Sequence, residues 1–210
     1  MESDLSDIES DLYPLNVLKD ELANVDLQAR LSSISKISTV ALALGTERTR
    51  TELLGFLREN VLNDDDEVIV TLAEELANFV PLIGGAEYVQ CLTPLLETLA
   101  SAEEAIVRDK AVEALLSILK DVTDNEIHVF VQLIQNLAKQ DWFCARNSAT
   151  GLFSSVYPRA LNSQRPLLRE IFSALCEDET PMVRRAAASK LGRWKFNDSS
   201  KSDYIKGMIR

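Results

Sequence analysis

The sequence predicts an all-α protein, built as an α-α superhelix of about five helix pairs. Two features of its composition favour helices: the 210 residues include only seven glycines and six prolines, and apolar residues make up 46%. Glycine and proline weaken helices, so their scarcity favours long helices over sandwiches or barrels. The third observation, a repeat of 38 to 40 residues, divides the chain into units of one helix pair.

The repeat is recognised from a short motif of apolar and basic residues that recurs in each unit. Counting from its anchor residue, the columns at −1, +3, +7 and +10 are mostly apolar or small, and these offsets lie on one face of a helix. The small residues of the +3 column predict close approach of a neighbouring helix. The anchors are Arg30, Val70, Arg108, Arg146 and Arg184. The +3 column holds Ser33, Ala73, Ala111, Ala149 and Ala187.

A second apolar-periodic segment precedes each anchored helix, for example at 50–62, 88–100, 127–138 and 165–176. The unit is therefore helix, short turn, helix, and its length is typical of HEAT or armadillo arrays; two helices favour HEAT. One unit cannot bury its apolar faces alone, so neighbouring units must stack into a solenoid over residues 12–194.

We place the units near 13–49, 50–86, 87–123, 124–163 and 164–194. An acidic segment, 1–11, precedes them, and a polar, basic tail, 195–210, follows as an incomplete repeat.

The net charge limits the kinds of binding partner, and the cysteine content indicates the cellular compartment. A net charge of −11 argues against nucleic acid or an anionic membrane, and no apolar run reaches the roughly 20 residues that span a bilayer. The acidic start lacks the basic residues of a signal peptide. Cys91, Cys144 and Cys176 are odd in number and widely spaced, so we expect reduced thiols in a cytoplasmic or nuclear protein.

The sequence offers little for catalysis. His128 is the single histidine, and no nucleophile motif, Walker loop, dinucleotide fingerprint or zinc spacing occurs. The run at 63–67, NDDDE, resembles part of a calcium loop but lacks the required glycine and the final glutamate. We therefore expect no enzyme activity, no cofactor and no metal site.

The turns inside the units are more informative, because stacking would align them as one ridge. They carry the candidate partner-binding residues Asp64, Asp65, Asp66, Glu67, Glu103, Glu104, Trp142, Phe143, Glu179, Pro181, Met182 and Arg185. Helix capping is the alternative role for the acids, and packing into the turn is the alternative for Trp142. We also expect Arg184 to pair with Asp178, across the turn or between units, whereas Asp64 lacks an arginine because its unit has Val70.

Four strings resemble the scaffold, or A, subunit of protein phosphatase 2A. They are 38–57, 106–118, 141–159 (DWFCARNSATGLFSSVYPR) and 178–192 (DETPMVRRAAASKLG), within a resemblance from Leu12 to Gly192. The resemblance implies a HEAT solenoid whose ridge holds a B-type regulatory subunit, while later repeats hold the catalytic subunit. The residues that it implicates are Glu103, Glu104, Trp142, Phe143, Glu179, Pro181, Met182 and Arg185, with Glu179 in place of the family's aspartate.

Two alternatives stay open at this point. Family members continue through a longer array, so the chain could be a truncated HEAT paralogue that acts as a decoy for B subunits. It could also be another HEAT adaptor, such as a nuclear-transport factor. We expect binding of the catalytic subunit only if further repeats exist.

Overall fold

A computed structural model describes residues 13–191, and within this range the regular structure is helical, without strands. The acidic segment 1–11 and the tail 195–210 lie outside the described residues, as do the last three residues of the fifth unit, 192–194.

Unit one contains three α-helices rather than two. Helix α1 covers Pro14–Leu22, α2 covers Leu27–Ile34 and α3 covers Ile37–Arg48. The short break at residues 35–36 divides the predicted second helix into α2 and α3. Gly45 has a φ of 79° and a non-helical backbone, so it separates the second helix of unit one from the first helix of unit two.

Units two and three contain irregular segments where the periodicity predicted continuous helices. The first helix of unit two joins a π-helical segment, Thr49–Leu53, to α4, Leu54–Asn60, and its second helix is α5, Asp66–Leu76. Two 3₁₀ turns follow, Pro81–Ile83 and Ala86–Cys91.

Unit three then consists of α6, Thr93–Ala100, and α7, Ala105–Asp121. The predicted helix from residue 88 begins as 3₁₀, and its α-helical part starts just before Pro94, which has no N–H to donate to an earlier turn.

Units four and five follow the prediction closely. They consist of α8, Ile127–Lys139, with α9, Phe143–Val156, and of α10, Arg165–Cys176, with α11, Pro181–Leu191. The described residues thus contain eleven α-helices, one more than five pairs, because the second helix of unit one is split. The prediction of five stacked helix pairs agrees with this structure.

The units stack in two rows. The second helices contact one another in the order α2, α5, α7, α9, α11, and the first helices contact one another in the order α4, α6, α8, α10. Within units one, three, four and five, the paired helices also pack against each other: α1 on α2, α6 on α7, α8 on α9 and α10 on α11. Since successive units supply successive members of each row, the apolar core runs along the whole solenoid.

The small residues of the +3 column lie at the centre of the second row. All five are buried, and the four alanines have no exposed surface. Gly151 marks an equally close approach, because a Cβ atom there would lie 3.0 Å from Cγ1 of Val112 on α7. The second helices therefore stack at a distance that only small side chains permit.

We predict that Ala149→Leu destabilises the chain by about 1–3 kcal/mol, since three extra carbon atoms must fit where α9 meets its neighbours without space. Urea unfolding measures the change. Ala188→Leu is the matched control, because Ala188 is exposed on α11 and should change stability by less than about 0.5 kcal/mol. Equal effects of the two substitutions would contradict the stacking role of the column.

Candidate functional site

The turns within the units lie along one edge of the solenoid, because the helices of each row pack side by side and side chains join one turn to the next, as Arg30 joins Asp64 and Arg146 joins Asp178. We call this edge the turn ridge and define it as residues 23–29, 61–68, 101–107, 140–145 and 177–185, which are the turns with the first residues of the helices that follow. All twelve predicted partner-binding residues fall within it. The structure therefore brings them together on one edge of the molecule.

Arginines at the anchor position hold the turns of the ridge. In each of the four units that have one, a single guanidinium nitrogen, Nη1, donates to the two main-chain carbonyls five and six residues back. In unit four, for example, Arg146 donates to the oxygens of Gln140 at 3.0 Å and Asp141 at 2.6 Å. These carbonyls precede the helix and have no helical donor, so the arginine satisfies them.

Two of these arginines also join neighbouring units. Nε of Arg30 donates to Oδ1 of Asp64 at 3.0 Å, and its Nη2 contacts Asp65. Arg146 binds both carboxylate oxygens of Asp178, at 2.7 and 3.1 Å. We call these contacts the arginine clasps. They join unit one to unit two and unit four to unit five.

The clasps correct two expectations from the sequence. Arg184 does not pair with the Asp178 carboxylate: it donates to the carbonyl oxygen of Asp178, whose carboxylate is bound by Arg146. Asp64 does not lack an arginine, because Arg30 of the preceding unit supplies one. The sequence left open whether such a pair forms across the turn or between units; the clasp joins an anchor to the acid of the following unit.

The second clasp shifts the pKa values of its members. Burial raises the pKa of Asp178, but hydrogen bonds from Arg146 and from the Thr180 N–H outweigh it, so that the pKa lies below its usual value of 3.8. The hydrogen bond to Asp178 raises the pKa of Arg146. Both groups are thus held in their charged forms.

The acids of the ridge are mostly free of capping roles. Asp26 caps α2 by accepting from the Gln28 N–H at 3.1 Å, but Asp65 and Glu104, which precede α5 and α7, make no side-chain cap bond. Asp64 is half-buried. Helix capping therefore does not explain most of the acids, and the remaining predicted ones are exposed: Asp65, Asp66, Glu67, Glu103, Glu104 and Glu179.

The two aromatic residues of the ridge differ in exposure. Trp142 precedes α9 with 52% of its surface exposed, while Phe143 is half-buried and packs against the core. Their ring centroids lie 5.6 Å apart at an interplanar angle of 39°. The exposure of Trp142 disagrees with the alternative in which it packs into the turn, whereas Phe143 has a packing role.

The ridge of unit five carries three further predicted residues. Pro181 and Arg185 are exposed, and Met182 is 60% exposed at the start of α11. The Arg185 side chain forms no ion pair with residues 13–191, in contrast to its neighbour Arg184, which is bonded to the turn.

Two exposed apolar residues of the ridge were missed. Ile106 is 61% exposed and Val25 is 95% exposed. Ile106 stands two residues before its anchor, the same position as Met182, and this shared offset could have identified it. The offset alone is ambiguous, since Cys144 occupies it in unit four and is buried.

Groups that support catalysis or metal binding are sparse in the described range. His128 is exposed in the first turn of α8, and its Nδ1 lies 2.9 Å from the carbonyl oxygen of Asn125. The three cysteines are unpaired thiols, and burial raises the pKa of Cys176 to about 11. Across residues 13–191, no group of three acidic, histidine or cysteine side chains is arranged to hold a metal, and no helix there has the length and apolarity of a bilayer span.

The chain is similar to regulatory subunits of a protein phosphatase along most of its length. The beta isoform of the 65 kDa regulatory A subunit of serine/threonine-protein phosphatase 2A from Rattus norvegicus is 55% identical over 189 residues, 90% of this chain and 31% of that protein. The protein phosphatase 2A scaffold subunit of Dictyostelium discoideum is 51% identical over 183 residues, 87% of this chain and 31% of that protein. The alpha isoform of the same 65 kDa regulatory subunit from Arabidopsis thaliana is 49% identical over 199 residues, 94% of this chain and 33% of that protein.

The other comparisons add little. No protein-family model matches the chain. A designed armadillo repeat protein, solved in complex with the peptide (KR)4, is 18% identical to this chain and has a TM-score of 0.49. The match covers 94% of this chain and 88% of the designed protein.

The fold and the ridge define the class of protein: a solenoid of helix pairs with an exposed edge of turns. The relatives indicate the family. The chain is homologous to the N-terminal portion of the 65 kDa scaffold, or A, subunits of protein phosphatase 2A, and it spans about 31% of the length of the relatives from rat and Dictyostelium.

We predict that Asp178→Asn destabilises the chain at pH 7 by about 1–3 kcal/mol, because the variant weakens a charge-assisted bond to Arg146. The folded-state pKa of Asp178 is lowered, so its contribution is complete above the unfolded value near 3.8 and is lost as the pH falls through the folded value. Urea unfolding at pH 7 and near pH 3 measures the difference.

Glu179→Gln is the control for this experiment. Glu179 is exposed, and its oxygen lies 3.5 Å from the same arginine, so its loss should cost no more than about 1 kcal/mol. A cost of Asp178→Asn that is the same at both pH values would refute a stabilising charge on Asp178.

Proposed function

We propose that this chain is a non-catalytic scaffold module that binds B-type regulatory subunits of protein phosphatase 2A through the turn ridge. The observation that carries the proposal is the exposed Trp142 within an acidic ridge, in a chain homologous to the scaffold subunits of that phosphatase. The relatives are named regulatory or scaffold subunits, which supports a role in the phosphatase complex without catalysis.

The chemistry of the ridge suits a protein partner. An exposed tryptophan next to a half-buried phenylalanine offers a large apolar contact at little conformational cost, as is typical of interface hot spots. Met182 offers a second apolar contact one unit further along. Exposed carboxylates flank these contacts, so the complementary surface of the partner should be basic around its apolar sites.

The arginine clasps support the same proposal from the structural side. They satisfy the carbonyls of the turns and fix neighbouring turns relative to each other. A preformed ridge loses little conformational freedom on binding. The turns can therefore present their outer side chains in a fixed arrangement.

We predict that Trp142→Ala weakens binding of a purified B-type subunit by about 2–4 kcal/mol, because it removes the largest exposed apolar contact of the ridge. Isothermal calorimetry measures the affinity, and thermal unfolding checks that stability changes less than binding does. Unchanged affinity in a folded variant would contradict the proposal.

The matched control is Leu161→Ala. Leu161 is similarly exposed but lies between units four and five, away from the ridge. Its truncation should leave the affinity unchanged. A loss as large as that of Trp142→Ala would point to a binding surface other than the ridge.

We also predict that reversing Glu103 and Glu104 to lysine slows association with the B-type subunit. Exposed carboxylates steer the encounter with a basic surface more than they set the lifetime of the complex. Surface plasmon resonance at several salt concentrations should show a lower association rate with a flatter salt dependence. Rates insensitive to both charge and salt would exclude steering by these residues.

A further inference from the structure

A groove of about 510 Å³ lies on the ridge between the turns of units two and three. Its lining includes the apolar side chains of Leu62, Ile69 and Val107. Carboxylates stand at its rim; those of Asp66 and Glu103 are exposed. Apolar side chains and several carboxylates therefore share one concave surface.

The repeat shows what normally fills this position. At the junction of units one and two, the equivalent surface includes Leu22, Asn24 and Asp64, and it contains Arg30, whose side chain forms the first clasp. One unit further along the repeat, Leu62 is equivalent to Leu22 and Asp64 is equivalent to Asn24. Ala102 is the equivalent of the clasp acid, Asp64. These three residues line the groove. The groove is therefore the arginine position of the repeat, one unit further along.

Both members of the clasp are replaced at this junction. The anchor of unit two is Val70 instead of arginine, and the acid of unit three is Ala102. By contrast, Arg146 and Asp178 form the clasp at the junction of units four and five. Between units three and four, Arg108 is present and donates to the carbonyls of its own turn. The junction of units two and three is thus the one described junction with neither member of the pair.

The charge around the groove is negative. Glu103 and Glu104 stand on one side, and Asp66 stands on the other. Asp64 also lines the groove, with one oxygen bound to Arg30. The nearest anchor cation, Arg108, is bonded to the main-chain carbonyls of Ala102 and Glu103 and forms no ion pair within residues 13–191. The exposed carboxylates of Asp66, Glu103 and Glu104 therefore flank the groove without an ion-pair partner among residues 13–191.

We propose that this groove binds an arginine side chain of the B-type subunit, which takes the place of the arginine that unit two lacks. The partner named here rests on the proposed function. Arginine fits better than lysine, because its guanidinium is planar and weakly hydrated, bonds several acceptors at once, and its methylene stem covers apolar surface. Arg30 and Arg146 show the same chemistry at the equivalent positions.

The first test uses the full chain and a short probe. Acetyl-Gly-Arg-Gly-amide is titrated into the isotope-labelled chain and followed by NMR, with the citrulline peptide as a neutral control of the same shape. The expected result is that backbone amides around 62–69 and 98–107 shift with the arginine peptide and not with the citrulline peptide. Equal or scattered shifts with the two peptides would overturn the proposal.

The second test fills the groove from within. Val70→Arg with Ala102→Asp places both members of the clasp at the equivalent positions, so the double variant should resist unfolding better and lose the response to the arginine peptide. Asp66→Asn with Glu103→Gln removes two charges without filling the space, and should lose the response too. If both variants respond like the original chain, the peptide binds elsewhere and the proposal is wrong.

The third test uses a purified B-type subunit. The double variant Val70→Arg, Ala102→Asp should bind it at least about tenfold more weakly. Unchanged affinity of this variant, together with a loss in Trp142→Ala, would overturn the groove and leave the proposed function standing. If the original chain binds no B-type subunit, the proposed function and the named partner fail, while the peptide titration still decides whether the groove takes a guanidinium.

Discussion

The structure depends on the close stacking of the second helices. One small residue per unit, three positions after the anchor, lies at each contact, and Ala73, Ala111, Ala149 and Ala187 have no exposed surface. Larger side chains would force the helices apart and open the core that each unit shares with the next. Because the second helices pack closely, their separation sets the spacing of the turns at the edge of the solenoid. The ridge is a consequence of the alanine column.

The anchor arginines connect this packing to the surface. A turn that enters a helix leaves carbonyl groups without helical donors, and the side chains of the turn commonly satisfy such groups. Here Arg146 and its equivalents satisfy them, and Arg108 and Arg146 do so as buried side chains. The outward side chains of the turns, such as Trp142 and Glu179, are then not needed for the fold. This division allows the ridge to vary in chemistry from unit to unit while the solenoid stays the same.

Much of the fold could be predicted, because a 38-residue period and helical offsets are properties of the sequence alone. The irregular parts could not: the break before Ile37 and the 3₁₀ start before Pro94 depend on local geometry. The site was predicted as a set of positions but not as a set of contacts. Met182 and Cys144 share one offset, yet one is exposed and the other buried, because tertiary packing decides which side of a helix start faces solvent.

The loss of both clasp members from the junction of units two and three has a physical reason. An arginine without the next acid still satisfies its own turn, as Arg108 does, but a half-buried acid without its arginine would leave a poorly solvated charge. Replacing both, as Val70 and Ala102 do, avoids that cost and leaves the junction to apolar packing. The clasp positions then remain open between turns that are still acidic. When two adjacent units both lose their clasp residues, as units two and three do at Val70 and Ala102, the place of an internal contact becomes exposed surface.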